Sequence, residues 1–292
     1  MIGRKLWLMV VLPIMVTLVL LVWFYPTNSD FSYENLGWNG TEDFATEFEA
    51  LPLSSLDSLS SVTQESTLMV IPYLEFNDSD LWKLEQYLSN GGKLVLLDDY
   101  GFGNEILEWL QLEARFTRGQ LLDPLFNYKN KNFPKIIDFA PDPITNGVAS
   151  IVFNHATSLE NIPSGQVIAQ SSHFSFLDEN QNGNWDEEEL KGPLPVIANF
   201  KIGKGELVLI SDPSILINSM LGMEGNQQFL ENIAQGQLFI DQSCLPEVAL
   251  DEAKGTLKVT RNATATVGGT LGLIVLILAL ALRPIWHKGG KA

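Results

Sequence analysis

The sharpest chemical pattern in the sequence is a run of oxygen-bearing side chains at residues 178–189, DENQNGNWDEEE. It matches the twelve-residue calcium-binding pattern D-x-[DN]-x-[DN]-G-x5-E at every fixed position. Calcium takes six to eight oxygen ligands in a loose shell, and the glycine allows the sharp bend that gathers them. The predicted Ca²⁺ ligands are Asp178, Asn180, Asn182, Asn184 through its backbone carbonyl, Asp186 and Glu189.

The flanks of this run do not predict the two helices of an EF-hand. Residues 171–177, SSHFSFL, read as extended, and two prolines follow at positions 193 and 195. The pattern therefore predicts a calcium loop set between strands. External modules of this kind bind Ca²⁺ at roughly 10⁻⁴–10⁻³ M, which favours a structural role over signalling. The alternative is a polar surface turn without a metal.

A second polar run, residues 98–104, DDYGFGN, follows the buried apolar run 93–97. Open α/β sheets bind ligands at the carboxyl ends of their parallel strands. A further Asp ends the apolar run 206–211 and is expected beside this loop. The alternative is a structural turn whose Asp residues cap the next helix. The predicted ligand-binding residues are Asp98, Asp99, Gly101, Gly103, Asn104 and Asp212.

The elements that position these residues alternate between strand and helix. Residues 67–73 and 93–97 predict buried strands, and apolar residues at helical spacing between them predict a helix that ends at Gly91 and Gly92. A strand–helix–strand–helix order favours a parallel sheet covered by helices. Further strands are expected near 149–153, 167–171, 196–201 and 206–211, and helices near 41–49, from 106 onward and at 226–234.

Three segments carry a resemblance to a known family. They are residues 35–40, NLGWNG; residues 91–98, GGKLVLLD; and residues 203–213, GKGELVLISDP, with Asn218 beyond. In this combination the chain resembles a prokaryotic family of membrane-anchored proteins of unknown function with a class I glutamine amidotransferase-like external domain. The resemblance implies a flavodoxin-like parallel sheet flanked by helices, and no known activity.

Catalysis of the amidotransferase type is not expected. It needs a nucleophile on a sharp strand-to-helix turn and a His–Glu pair later in the chain. The corresponding turn, residues 98–104, contains no Cys, Ser or Thr, and the single cysteine, Cys244, lies outside any such turn. His155 and His173 have no recognisable nucleophile nearby in the sequence. The interpretation is a scaffold without catalytic residues.

Two uncharged runs predict a transmembrane helix at each end of the chain. Residues 6–25 and 267–286 are the expected spans, since about 20 apolar residues cross a bilayer core. Basic residues flank their outer ends, so residues 1–5 and the tail 287–292 are expected in the cytoplasm. Residues 28–244 would form the extracellular α/β domain, with a juxtamembrane stretch at 245–266. The predicted localisation is thus a two-pass protein of the cell membrane.

Charge narrows the classes of partner. All 35 acidic residues and 13 of the 18 basic residues lie between the two runs, which gives that segment a formal charge of −22. Such a surface repels nucleic acid, so none is expected as a partner. With one cysteine, the domain forms no internal disulfide and depends on its core.

These observations favour a non-catalytic binding or scaffold protein of the cell envelope, stabilised by calcium. Its expected partners are the membrane, other membrane proteins and a small-molecule ligand. Two alternatives remain open: an accessory subunit of a membrane transport system, and an amidotransferase-like hydrolase with an unusual active site.

Overall fold

The computed structural model describes residues 2–61, 65–246 and 248–265. They divide into two compact units. One comprises the described residues up to 27 and from 248 onward, and the other comprises those between 28 and 246. The larger unit contains the sheet and every predicted site.

The helices of the described chain are α1 Ile2–Phe24, α2 Glu42–Glu47, α3 Asp78–Ser89, α4 Asn104–Trp109, α5 Asn218–Leu221, α6 Asn226–Ile233 and α7 Ala249–Ala265. Short 3₁₀ helices lie at Leu56–Ser61, Pro143–Thr145, Ser164–Gln166 and Pro213–Leu216. The strands are β1 Leu51–Leu53, β2 Ser66–Val70, β3 Lys93–Leu97, β4 Arg115–Phe116, β5 Gln120–Leu122, β6 Lys135–Ile136, β7 Asp138–Phe139, β8 Ile151–Val152, β9 Leu159–Glu160, β10 Val167–Gln170, β11 Phe176–Asp178, β12 Pro195–Ile202, β13 Gly205–Ile210 and β14 Gln237–Asp241.

Eight of these strands form one sheet in the order β1-β14-β2-β3-β13-β12-β10-β7. The pairs from β1 through β13 are parallel. The pairs from β13 through β7 are antiparallel. The remaining strands form the pairs β5–β11, β4–β9 and β6–β8.

The α/β class is confirmed, but the prediction of a parallel sheet is wrong in part because this sheet is mixed. The reason lies in the turn between β12 and β13. Gly203 adopts a φ of +59°, and Ile202 pairs with Gly205, so only two residues connect the strands. A connection this short joins antiparallel neighbours, whereas parallel neighbours need a crossover of a dozen or more residues.

The core lies on both faces of the central strands. Every residue of β2 and β3 is buried. Met69 and Val95 belong to the cluster that includes residues of α5 and α6, whereas Leu68 and Leu94 belong to the cluster that includes residues of α3 and α4. Successive side chains of a strand point to opposite faces, so a continuous apolar run serves both helical layers at once.

The predicted helix between β2 and β3 is confirmed as α3. The Asn77 side chain accepts a hydrogen bond from the backbone N–H of Asp80 at 3.0 Å, which caps the first turn. Leu81, Leu84 and Leu88 are buried on one side of the helix. Gly91 then takes a φ of +112°. That conformation favours glycine and ends the helix before β3.

The smaller unit consists of α1 and α7. The guanidinium of Arg261 lies 5.5 Å from the ring centroid of Trp23. Thr27 Oγ1 donates a hydrogen bond to Asp251 Oδ2 at 2.7 Å. The stretch 245–266, predicted as a polar juxtamembrane segment, is largely helical because α7 covers Ala249–Ala265.

The predicted transmembrane topology is not supported. Helix α1 covers Ile2–Phe24. A span needs about 20 consecutive apolar residues. Within the described ranges, no helix combines the length and apolar character that membrane crossing requires. The predictions of a span at residues 6–25 and of a two-pass cell-membrane localisation are therefore wrong; the second predicted span, 267–286, lies outside the described residues.

The turn into β13 gives a test of the fold. A Cβ on Gly205 would lie 2.3 Å from the carbonyl oxygen of Leu88 and 2.4 Å from that of Gly92. Gly205→Ala should therefore lower the free energy of unfolding by about 1–3 kcal/mol, the usual cost of overpacking. Urea unfolding of the full-length chain measures it. Gly222→Ala is the control, because a Cβ there meets no atom within 4 Å. Equal stability of the two variants would contradict the close approach of β13 to α3.

Candidate functional site

The loop after β3 is built around the carboxylate of Asp98. Asp98 Oδ1 accepts hydrogen bonds from the backbone N–H groups of Tyr100 at 2.8 Å and Gly101 at 3.0 Å. Its Oδ2 accepts a third, from Gly103 at 2.7 Å. Asp98 is fully buried, and burial raises the pKa of its carboxyl while these donors oppose the rise. Asp98 therefore stabilises the turn that leads into α4. This is the structural role that the sequence offered as the alternative to ligand binding.

Asp99, the next residue, has a different environment. Its Oδ1 is buried and has no hydrogen-bond partner. Burial raises the pKa of the Asp99 carboxyl to about 7, and the negative charge of Asp98 adds to the rise. A buried acceptor without a donor is costly, and such groups concentrate where ligands bind. Asp99 is thus the member of this loop that has hydrogen-bonding capacity left for a ligand.

Asp212 lies at the end of the neighbouring strand, β13. Its Oδ1 accepts a hydrogen bond from Ser214 N at 2.8 Å, which caps the 3₁₀ helix, and its Oδ2 accepts another from Asn154 N at 2.7 Å. Burial raises the pKa of Asp212 well above its ordinary value, and the charge of Asp99 contributes to that rise. Asp99 and Asp212 thus lie near enough for their charges to interact, and Asp212 also has a structural role.

Two tyrosines complete the site, and the sequence analysis missed both. Tyr73 follows β2 and Tyr100 lies in the loop after β3, with ring centroids 5.5 Å apart. Burial raises the pKa of both phenols, and the charge of Asp99 raises each further. Their positions just beyond parallel strands could have identified them. We call Tyr73, Asp99, Tyr100 and Asp212 the carboxyl-edge site.

The other predicted members of this loop hold it in place. Gly101 has a φ of +85°, which favours glycine. Asn104 accepts a hydrogen bond from Phe116 N at 2.8 Å and donates one to Phe116 O at 2.9 Å, so it ties α4 to β4. Asn104 and Arg118 also line a cavity of about 470 Å³ next to the loop.

The run 178–189 folds into a compact loop beyond β11. Asp178 Oδ1 accepts a hydrogen bond from Asn182 N at 3.1 Å, and its Oδ2 accepts one from Gly183 N at 2.8 Å. Glu189 accepts hydrogen bonds from the backbone N–H groups of Glu179 and Asp186, at 3.0 and 3.1 Å. The first and last predicted ligands therefore tie both ends of the loop.

The predicted calcium ligands can meet one ion only after a rearrangement. The side-chain amides of Asn180 and Asn182 donate to Asp186 Oδ2 at 2.6 and 2.7 Å. Binding would require both amides to turn their oxygens toward the metal. Gly183 has a φ of +75°, the bend that the pattern requires. Across the described ranges, no group of three His, Cys, Asp or Glu residues is placed to hold a metal. Calcium binding therefore stays a prediction, which depends on amide and carbonyl oxygens as well as carboxylates.

Cys244 has the environment of an unreactive thiol. It is buried, and burial together with the charge of Asp241 raises the pKa of its thiol well above the ordinary value. A thiol in this state forms little thiolate near neutral pH. His155 lies elsewhere, with its ring Nδ1 2.9 Å from the side-chain nitrogen of Gln120.

A comparison with protein families gives one match. Residues 33–234 match the model described as Domain of unknown function (DUF4350). The chain belongs to this family. The match confirms the expectation of a family of unknown function, and its description names no activity. A comparison with curated proteins finds no match.

Solved structures give distant likenesses. The mmIFT52 N-terminal domain is 14% identical, with a TM-score of 0.46 over 61% of this chain and 78% of that chain. A putative ThuA-like protein from Bacteroides uniformis ATCC 8492 is 13% identical, with a TM-score of 0.34 over 67% and 74%. The β-galactosidase from Bacillus circulans sp. alkalophilus is 12% identical, with a TM-score of 0.32 over 56% and 22%. Similarity this low carries no argument about activity.

The contrast between adjacent carboxylates gives a test of the site. Asp98→Ala leaves three backbone N–H groups without their acceptor, and we expect it to lower the free energy of unfolding by roughly 2–4 kcal/mol. Asp99→Asn is the matched variant, because Asp99 Oδ1 has no donor to lose. Chemical denaturation at pH 7 compares them, and similar losses in both would contradict the assigned roles.

The raised pKa of Asp99 adds a pH dependence. The folded carboxyl titrates at about 7, above the ordinary 3.8. The folded state therefore holds a proton that the unfolded state has lost, and the contribution of Asp99 to stability falls as pH rises from about 4 to about 7. Asp99→Asn should remove this fall and add on the order of 1 kcal/mol at pH 8, after allowance for partial exposure. Parallel stability profiles for parent and variant between pH 4 and 8 would contradict the shift.

Proposed function

We propose that the α/β unit is a non-catalytic ligand-binding domain, which takes a small ligand rich in hydrogen-bond donors at the carboxyl-edge site. The observation that carries the proposal is the buried Oδ1 of Asp99, which has no hydrogen-bond partner. A ligand hydroxyl or amine would supply the missing donor and remove the cost of that acceptor.

The neighbouring groups support a donor-bearing ligand. Asp98 and Asp212 already accept three and two backbone hydrogen bonds, so Asp99 is the carboxylate with capacity to spare. The rings of Tyr73 and Tyr100 would contribute apolar contact beside it. A few polar groups among aromatic side chains are typical of small-molecule sites.

Three observations weigh against covalent catalysis. Residues 98–104 contain no Cys, Ser or Thr, so the turn after β3 offers no nucleophile. The Asp98 carboxylate is engaged by backbone donors. The thiol of Cys244 is buried, with a raised pKa. The proposal therefore includes no amidotransferase-like mechanism.

A second candidate function is acid–base hydrolysis. A carboxyl with a pKa of about 7 is suited to general acid–base work near neutral pH, and Asp99 has that value. Asp212 would be the second carboxyl. This candidate predicts turnover of the bound ligand, whereas the binding function predicts its unchanged release.

A ligand panel tests the binding function. The full-length chain is titrated by calorimetry with uncharged polyols, organic amines and carboxylates of similar size. Donor-rich compounds should bind, and Asp99→Asn should weaken binding about tenfold by replacing an acceptor with a mixed amide. Asp138→Asn, at an exposed carboxylate on β7, is the control and should bind as the parent does. Preference for carboxylates, or equal binding by Asp99→Asn, would reject the assignment; recovery of a cleaved compound would favour hydrolysis.

We also propose that residues 178–189 bind one Ca²⁺, which stabilises the unit. The support is the pattern of ligand types together with the positive φ of Gly183 at its sixth position. Asp178 and Glu189 already face into the loop through their backbone hydrogen bonds. Calcium would neutralise the mutual repulsion of the three ligand carboxylates and fix the loop beyond β11.

Thermal melts test this calcium site. A ligand specific for the folded state adds about 1.4 kcal/mol when its free concentration is ten times Kd. Millimolar Ca²⁺ should therefore raise the Tm of the full-length chain, and Mg²⁺ should do so weakly because it demands a tight octahedral shell. Glu189→Gln should lose the rise. Glu187→Gln, two residues away and outside the ligand set, should keep it. Equal calcium responses of these two variants would refute the ligand assignment.

A further inference from the structure

The segment 35–40, NLGWNG, forms a tightly held surface loop, here called the Trp38 loop. The side chain of Asn218 donates to the backbone carbonyls of Asn35 at 3.1 Å and Gly37 at 2.7 Å. The backbone N–H of Asn218 donates to Gly40 O at 2.8 Å, and that of Ser219 donates to Trp38 O at 3.1 Å. A remote part of the chain therefore fixes this loop along its whole length.

The loop is also fixed from within. Asn35 is buried, and its Oδ1 accepts a hydrogen bond from Gly37 N at 2.8 Å. Its side-chain nitrogen donates to Asn39 Oδ1 at 3.0 Å and to Ser29 O at 2.8 Å. A Cβ on Gly40 would lie 1.8 Å from Asn35 O, so the backbone closes on itself. The side chains of Asn35 and Asn39 thus stabilise the backbone of the loop, whereas those of Leu36 and Trp38 take no part in these hydrogen bonds.

Those apolar side chains point into solvent. Leu36 is 67% exposed and Trp38 is 69% exposed. Because hydrogen bonds already fix the backbone of this loop, binding through Leu36 and Trp38 requires little further ordering of the backbone. Tryptophan is among the residues that most often dominate the energy of protein interfaces. The loop therefore has the character of a preorganised contact surface.

The surroundings of the Trp38 loop are acidic. Asp30 accepts a hydrogen bond from the side chain of Asn39, and Glu34 directly precedes the loop. Asp43 is tied to the residue that fixes the loop, because Asn218 Oδ1 accepts a hydrogen bond from its backbone N–H at 2.9 Å. All three carboxylate residues are exposed. The chain as a whole carries a formal net charge of −17. The charge of this surface selects against anionic partners and favours a cationic one.

We propose that the Trp38 loop docks a positively charged, apolar-tipped segment of another protein. The partner would cover Leu36 and Trp38 and place Lys or Arg side chains against Asp30 and Asp43. A second copy of the chain would bring an equally acidic surface, and nucleic acid or an anionic lipid would be repelled. The two surfaces adjoin, because the ring of Phe31, next to Asp30, lies 5.6 Å from that of Tyr73. The docking proposal rests on Leu36 and Trp38, which are not part of the carboxyl-edge site, so it does not depend on the ligand proposed there.

Peptide binding to the full-length chain tests the proposal. The probes are two fluorescently labelled peptides of equal length, one alternating Lys and Leu and the other alternating Glu and Leu, followed by anisotropy. The Lys–Leu peptide should bind, and its affinity should fall steeply between 50 and 300 mM salt. Trp38→Ala should weaken binding at least tenfold. Trp82→Ala, at a Trp that is 55% exposed on α3, is the control and should bind as the parent does.

Several results would overturn the docking surface. They are no binding of the Lys–Leu peptide at 0.1 mM, equal binding of the Glu–Leu peptide, and equal losses in both tryptophan variants. Sedimentation of the parent chain, which measures its oligomeric state, can give a further result of this kind. A dimer that Trp38→Ala dissociates would show that a second copy covers the loop. Thermal melts confirm that the variants are folded, which the exposure of both tryptophans leads us to expect.

Discussion

The complete burial of strands β2 and β3 is the constraint on which the rest of the structure depends. Both strands are buried on each face, so helices must cover the sheet from two sides. Covering both faces requires crossover connections, and these make β14, β2, β3 and β13 parallel. Parallel strands end at one edge. The chain therefore leaves Tyr73, Asp99 and Asp212 at the same edge of the sheet, although more than 130 positions separate the first from the last.

The acidic residues at that edge show how burial separates structural from available carboxylates. Asp98 and Asp212 each follow a strand, and each accepts hydrogen bonds from residues that follow it. Asp241, at the end of β14, accepts a hydrogen bond at Oδ1, whereas its Oδ2 is buried without a partner, as is Oδ1 of Asp99. In these positions the carboxylate replaces acceptors that the turning backbone cannot provide. Asp99 comes one residue later than Asp98 and accepts no hydrogen bond at Oδ1. The place of Asp99 in the turn, rather than a different type of side chain, leaves this oxygen without a hydrogen-bond donor.

Local pattern was enough to predict much of the fold. Helical spacing of Leu81, Leu84 and Leu88 predicted α3, and continuous apolar runs predicted β2, β3 and β13. The mixed sheet was not predicted, although a two-residue turn such as the one after Ile202 joins antiparallel strands. Strand β14 was missed because its run, QLFID, is short and mixed in polarity. The predicted span at residues 6–25 was wrong, since no helix within the described ranges is long and apolar enough to cross a membrane.

The candidate site was predictable only in part. Asp99 and Asp212 could be predicted to meet, because each follows a strand of the same sheet. Which carboxylate stays available depends on backbone N–H directions within the turn, and no sequence pattern encodes these directly. The same holds for residues 35–40. Their motif was visible, but the hydrogen bonds from Asn218 that leave Leu36 and Trp38 in solvent are set by tertiary structure.

The central claim is that Asp99 is a buried carboxyl whose acceptor capacity is unused in the free protein. A ¹³C NMR titration of the Asp99 side-chain carboxyl in the full-length chain measures this most directly. The account predicts a midpoint at about 7, the value to which burial and the neighbouring Asp98 raise its pKa. A midpoint near the ordinary 3.8 would mean that water or another group already satisfies Asp99, and would contradict the site.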